Sequence, residues 1–596
     1  MASAHSFHIP VMGIGFTIDT PLKVSHWGID SVISLVDDGL LERLRKKYSE
    51  LNQLAYEPIS DRDEDARANR ITAYLDMLHV LTQQKWEQLI NDLSPNSDAV
   101  RSFLELLPNS AELVQKFNAW KASSTSLLDV RQWISDHASP GRIDVNIMTK
   151  VDGANFSGKT QLGPEFNDAH AAVRGYANSM LESTLVLSAG MSPRLYGYLA
   201  QFEDFFADAT GFIKKKIALK VSDYRSALIQ GKFLAKKGIW VSEYRIESGL
   251  NCGGHAFATD GYLMGPILAE FRDNRDELIQ SVHSLLQDAL ASQSRPVPES
   301  AMDLRITAQG GVGTAEEHQF LIDTYGMDSV GWGSPFLLVP EATTVDDSTR
   351  NKLAAALEPD LYLSGISPLG VPFNNLRGNS KDESKLLLAN KGKPGSSCPK
   401  KYLASNTEFT EEPICTASRQ YQHLKLKELG GLNLSPKEFD RRFNQIVEKS
   451  CICVGLGTSA LLVNELSTKI EGPEVSICPG PNLAYFDRAM TLKDMVDHIY
   501  GRSNVISRTD RPHMFVKELR LYVDYLAQKS GELEEDLTDK SRKFLHTFAS
   551  NLQAGIAYYQ ALFEGLGPAY DGVLNHLRQE WERLDRLGLS VENVPG

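Results

Sequence analysis

The chain has 596 residues, 62 basic and 76 acidic, for a net charge of −14 with histidines neutral. That length exceeds what one compact core supports and predicts one large domain with additions, while the acidic balance, with no basic cluster interleaved with aromatics, argues against a nucleic-acid partner. Hydrophobic residues make up 42%, but no apolar run reaches the about 18 residues of a membrane span, so no membrane association is expected.

The opening MASAHSFHIP lacks a charged n-region and an apolar h-region, so no signal peptide is expected. Six cysteines in so long a chain do not make a disulfide scaffold, and a reducing, cytoplasmic location is the default.

FHIPVMGIGF predicts a first strand that ends in Gly13 and Gly15. TPLKVSHWG reads as a short helix, and SVISLVDD as a second strand whose Asp37 and Asp38 suit helix caps better than catalysis. Residues 39–138 then change character and predict a helical insertion. Leu41, Leu44, Tyr48 and Leu51 recur at helical spacing, as do Ile71, Leu75, Leu78 and Trp86. An insertion after a barrel strand usually sits over the active-site mouth; the plainer alternative is a packed subdomain with no direct role.

From 142 to 340 strand and helix alternate. RIDVNIMTK, STLVLSAG, KIALKVS, GIWVSEYR, LRITA and DSVGWGSPFLLV bring the strand count to eight with the two at the start. Eight alternating units predict an α/β fold, a closed (β/α)₈ TIM barrel built from residues 1–38 and 139–380. Its strand ends would gather at one face. After GIWVSEYR, the glycine-rich ESGLNCGGHAFATDGYLMG places His255 on a polar loop, where it could serve as general base or hydrogen-bond donor, or as a structural or surface histidine. Cys252 reads as a spacer.

The two turns at the end of the alternation carry the sharpest signal. LRITA runs into Gln309-Gly310-Gly311, then a helix from Ala315 to Tyr325 with Phe320, Leu321 and Tyr325 on one face. DSVGWGSPFLLV is broken by Gly331, Gly333 and Ser334. Glycines at strand ends let backbone N–H groups close on an anion, and successive glycine turns after the last two strands match the phosphate site of a (β/α)₈ barrel.

KIALKVSDYRSALIQGKFLAKKGIWVSEYRIESGLNCGGHAF and ITAQGGVGTAEEHQFLIDTYGMDSVGWGSPFLLVPEA together resemble the nitronate monooxygenase (2-nitropropane dioxygenase) family, which includes related flavin-dependent enoyl reductases. The likeness extends more weakly to IPVMGIG and DVNIM. It implies an FMN-holding barrel in which Gly310, Gly311, Gly333 and Ser334 bind the FMN phosphate, Met12 and Gly13 lie against the isoalloxazine, Asn146 contacts the flavin, and His255 is the active-site histidine. The family's acidic-Ala-Gly-Gly-His loop is Asn251-Cys252-Gly253-Gly254-His255 here, and residues 380–596 have no counterpart. Reduced flavin gains negative charge, so a cation near it favours reduction. Lys150 and Lys220 stand at strand ends and suit that role, though each suits a surface lysine equally well.

Residues 381–483 hold Cys398, Cys415, Cys451, Cys453 and Cys478. Such clustering points to a metal site, a [4Fe–4S] cluster favoured over zinc, although no CxxC pair is present. The alternative is a set of buried small hydrophobes, with CICVGLG as part of a buried strand. Residues 484–596 read as helices, FVKELRLYVDYLAQ burying Phe515, Leu519, Tyr522 and Leu526, for packing or for homo-oligomer formation.

These readings converge on an FMN-dependent oxidoreductase acting on a small organic substrate, as a nitronate monooxygenase does. The alternative enzyme is a flavin-dependent enoyl reductase; a cluster would favour it and add an electron-donor protein as partner. A different class, a non-catalytic barrel scaffold that recruits partners, would bind no flavin.

Overall fold

The computed structural model describes residues 4–92, 97–108, 114–116, 119, 127–157, 160–533 and 538–589. Most of the polar break SPNSD and of the stretch 109–126 in the expected insertion lies outside them. Eight parallel strands close into a barrel: β1 (Phe7–Ile9), β2 (Asp30–Ser34), β3 (Ile143–Asn146), β4 (Ser183–Leu187), β5 (Lys215–Val221), β6 (Val241–Glu247), β7 (Arg305–Gln309) and β8 (Ser329–Gly331). Each strand pairs with its neighbours in the chain and β8 closes onto β1, the (β/α)₈ arrangement expected. One cross-strand row runs Glu247, Gln309, Gly331, His8, Asp30, which brings the ends of β6, β7, β8 and β1 to one level.

The strands are shorter than their apolar runs. FHIPVMGIGF is strand only over Phe7–Ile9. Pro10 then offers no N–H to a ladder, and Gly13 turns the chain at φ 51°. Likewise Ser334–Leu338 is a 3₁₀ turn rather than a continuation of β8. The helix Ala315–Tyr325 forms as its pattern requires, with Phe320, Leu321 and Tyr325 buried and Thr314 capping Glu317 N.

The chain between β2 and β3 packs against the barrel wall. Asp37 caps the helix Asp38–Leu51, its carboxylate accepting from Leu40 N at 3.0 Å. The helix Ala66–Asn91 buries Ile71, Leu75 and Leu78 against the barrel. Its Arg67 donates to Asp168 O at 3.1 Å and to Asp38 at 2.6 Å. Trp86 belongs instead to a small separate core with Phe103 and Ile134, and Leu51, at the helix end, faces solvent.

Beyond the barrel, β9 (Leu361–Ser364) and β10 (Phe373–Leu376) form an antiparallel hairpin. The expectation of a strand at CICVGLG is corrected: Ile452–Val463 is a helix. Ten of its residues are buried, so the apolar pattern has no period to separate helix from strand. Met514–Leu533 buries Phe515, Leu519, Tyr522 and Leu526 as expected, and packs with Asp539–Leu566 and Asp571–Asp585. One apolar core runs through barrel and C-terminal helices alike. Among the described residues no single helix is long and apolar enough to cross a membrane.

Candidate functional site

The carboxyl ends of the strands open into a cavity of about 290 Å³, near the lower end of ligand-pocket volumes. Met12, Gly13, Asn146, Lys150, Lys220, His255, Gly310, Gly311, Gly333 and Ser334 all line it. The barrel brings together every non-cysteine residue named above as a candidate for cofactor or catalysis. None of the described residues of the 39–138 insertion does so.

The two glycine turns stand side by side because β7 and β8 are neighbours in register. Gly310 and Gly311 adopt φ 124° and 83°. A Cβ at Gly311 would stand 2.0 Å from Asn251 Nδ2, and one at Gly310 2.9 Å from Cys252 Sγ. The backbone N–H groups of Gly311 and Gly333 have no acceptor among the described residues. Ser334 Oγ accepts from Gly480 N at 2.7 Å and keeps its own proton to donate. These are open donors at one wall, the requirement for holding an anion.

The floor is polar. Lys220 Nζ pairs with Glu247 Oε2 at 2.7 Å, and Gln309 Nε2 donates to the other Glu247 oxygen. Gln309 Oε1 and Asn251 Oδ1 are buried acceptors without a partner among the described residues. Lys150 stands at the rim; desolvation, and then the like charge of Lys220, hold its ammonium below the usual lysine range. Asn146 Oδ1 accepts from Met148 N at 2.9 Å, which fixes that side chain against its own turn. Gly13, at φ 51°, is required because a Cβ would lie 2.5 Å from the Phe16 ring.

His255 lies on the loop after β6. Burial, reinforced by Lys150, brings its imidazole down to about 4, so it is neutral near pH 7. Its Nε2 is 2.8 Å from Ser367 Oγ, and its ring meets Phe373 edge-on at 4.9 Å. Asn374 Nδ2 donates to Cys252 O at 2.8 Å. The helix Met514–Leu533 holds the same loop from the other side: Glu518 accepts from Ser248 Oγ at 2.5 Å and Met264 N at 3.0 Å. Burial pushes the Glu518 carboxyl up to about 7. Cys252 is raised by burial and then by Glu247, so it is no thiolate.

The roof is the part that sequence reasoning missed. Tyr402, Leu403, Ile452, Leu456, Ile477 and Asn482 cover the cavity. Leu456 O accepts from Gly15 N at 2.9 Å, and a Cβ at Gly15 would press on Ala460 at 3.0 Å. Asn482 Nδ2 donates to Val312 O at 2.8 Å, and Arg511 donates to Gly311 O at 2.9 Å while pairing with Glu317 at 2.7 Å. The only signal in the sequence was small residues, Gly15 against Gly457, whose contact requires the fold.

Among the described residues no group of three or more His, Cys, Asp or Glu is placed to hold a metal ion. Cys398, Cys415 and Cys451 touch through their thiols, while Cys453 and Cys478 turn to the cavity wall. The hydrogen bond shared with Cys415 raises Cys398 to about 11, and burial raises Cys478 to about 12. Cys398, Cys415, Cys451 and Cys453 are buried.

No family model matches the chain, and no curated protein matches it. Among solved structures, the enoyl reductase domain of MlnA from the macrolactin biosynthesis cluster of Bacillus amyloliquefaciens is similar at 14% identity, covering 67% of this chain and 86% of that one with a TM-score of 0.33. A likeness that remote has no bearing on activity.

Proposed function

We propose that this chain is an FMN-dependent oxidoreductase of the nitronate monooxygenase-like kind, acting on a small organic substrate. The observation that supports it is the pair of glycine turns: open amides at Gly311 and Gly333, with the Ser334 hydroxyl, on one wall of a cavity at the strand ends. A terminal phosphate is the ligand group that donors so placed would hold. The rest of the donor set fits the same cofactor. Gln309 Oε1 and Asn251 Oδ1 are acceptors without donors among the described residues, which ribityl hydroxyls would supply.

In this reading Met12 and Gly13 lie against the ring system. Lys220, tied to Glu247, and Lys150 supply positive charge beside it. Bound FMN would accept electrons from the substrate. His255 faces the cavity and positions the substrate, while Ile452, Leu456 and Ile477 exclude water from above. The cysteines take no part.

The test is the absorption spectrum of the purified full-length protein, as isolated and after incubation with FMN. The two-band flavin spectrum with a tight stoichiometric titration is expected. A protein that stays colourless with added FMN refutes the cofactor and returns the barrel to a scaffold role. Oxygen consumption with an alkyl nitronate then tests the reaction class.

A further inference from the structure

The fully buried hydroxyl of Ser367 bears on how His255 can act. The inference rests on the reading of the cavity as a substrate site. His255 is held by backbone as well as side chain. It bridges Phe373 in antiparallel register, Ala256 N donates to Pro372 O at 2.9 Å, and Asn374 N donates to Gly254 O at 2.9 Å. With the backbone so tied, its ring Nε2 lies 2.8 Å from Ser367 Oγ.

Either atom of that pair could donate, and the surroundings decide which does. Ser367 Oγ already accepts from Leu369 N at 3.3 Å. Among the described residues its hydroxyl proton has no acceptor other than His255 Nε2. Were Nε2–H the donor, Ser367 would accept twice and leave its own proton buried without a partner, which folded proteins avoid. Donation from Ser367 pairs both its own proton and His255 Nε2. Nε2 then offers its lone pair to Ser367, and the ring proton sits on Nδ1.

We infer that Ser367 is a positioning residue that holds His255 as the Nδ1–H tautomer, so that His255 meets the substrate as a hydrogen-bond donor to oxygen and not as the base for a carbon-bound proton. The low imidazole pKa agrees, since desolvation and then Lys150 keep the ring from taking a second proton near pH 7. Lys150 is the charged group that bears on the ring; Ser367 and Phe373, from the segment that packs on it, carry no charge. The substrate class that follows has an acceptor oxygen conjugated to the reacting carbon, as a nitronate or an unsaturated carbonyl compound does. A neutral imidazole donor suits such an oxygen.

The tautomer is measurable without turnover. In full-length protein labelled with ¹⁵N-histidine, two-bond N–H correlations separate the two neutral forms, and the His255→Gln variant assigns the signal. The expected result at pH 7 is protonated Nδ1 for His255, opposite to the form free histidine prefers. Ser367→Ala should move the ring to Nε2–H and raise its protonation midpoint from about 4, and Ser367→Thr should keep the wild-type pattern. An Nε2–H signal in the wild type overturns the inference, as does a tautomer indifferent to Ser367→Ala. If Ser367→Ala does not fold, the wild-type signal alone decides. The flavin spectrum of the same sample separates the two readings: a colourless protein with Nδ1–H refutes the cofactor, whereas a yellow protein with Nε2–H refutes the role of Ser367.

Discussion

The two glycine turns and the histidine loop line one cavity side by side, and they are built in different ways. The turns come from the barrel: β7 and β8 lie in register, so Gly310 and Gly333 stand at neighbouring strand ends. The histidine loop is held from outside, by Ser367, Phe373 and Asn374 after the barrel and by Glu518 from the C-terminal helices. The turns have donors left open; on the loop, Ser248 and His255 are tied to partners from outside the barrel. An open wall binds and a paired wall positions, and the distinction sets which substitutions should do what.

The largest effect belongs to the turns. Gly311→Ala forces a Cβ into Asn251 and a side chain into φ 83°, so FMN affinity in an absorbance titration should fall by about 100-fold or more, roughly 3 kcal/mol. Unchanged affinity would break the contrast outright. On the histidine loop, His255→Ala should lower kcat by about 100-fold while the flavin Kd stays within about twofold. A lost flavin would mean that the two walls are not separable.

Glu518 sharpens the contrast through pH. Its folded carboxyl lies near 7, above the usual 4.5. The stability it contributes is therefore fully present below about pH 4.5 and is lost as pH rises through about 7. Relative to wild type, Glu518→Gln should gain on the order of 1–3 kcal/mol between those limits in denaturant unfolding followed against pH. Parallel stability curves for the two proteins would show that the carboxyl is not perturbed.

The smallest effect is expected at the cysteines. Cys415→Ala removes one buried thiol beside Cys398 and should cost about 1 kcal/mol of stability, with flavin uptake and metal content of anaerobically purified protein unaltered. A loss of iron or zinc on that substitution would restore the metal reading.

Much of the barrel side was legible. LRITA and DSVGWG gave β7 and β8, the Ala315–Tyr325 face gave its buried residues, and Asp37 gave a cap. Local signals sufficed because each depends on neighbours within a few positions. The roof was not legible. CICVGLG has no polar face to reveal its period, and the five cysteines near one another in sequence point to two environments in space. Nor did anything local mark Ser367 or Glu518, which act on a loop 112 and 254 positions away.

What the residues alone determined is the alternation of eight strands with helices and the placing of glycines where those strands stop, because chain geometry and backbone freedom are properties of short segments. What only the tertiary structure decided is which groups at the cavity are satisfied. Leu456 closes on Gly15, Ser334 meets Gly480, and Ser367 reaches His255. Whether a polar atom is open or paired depends on partners brought from distant parts of the chain, and on that difference rests whether a wall can bind a ligand or hold a side chain in place.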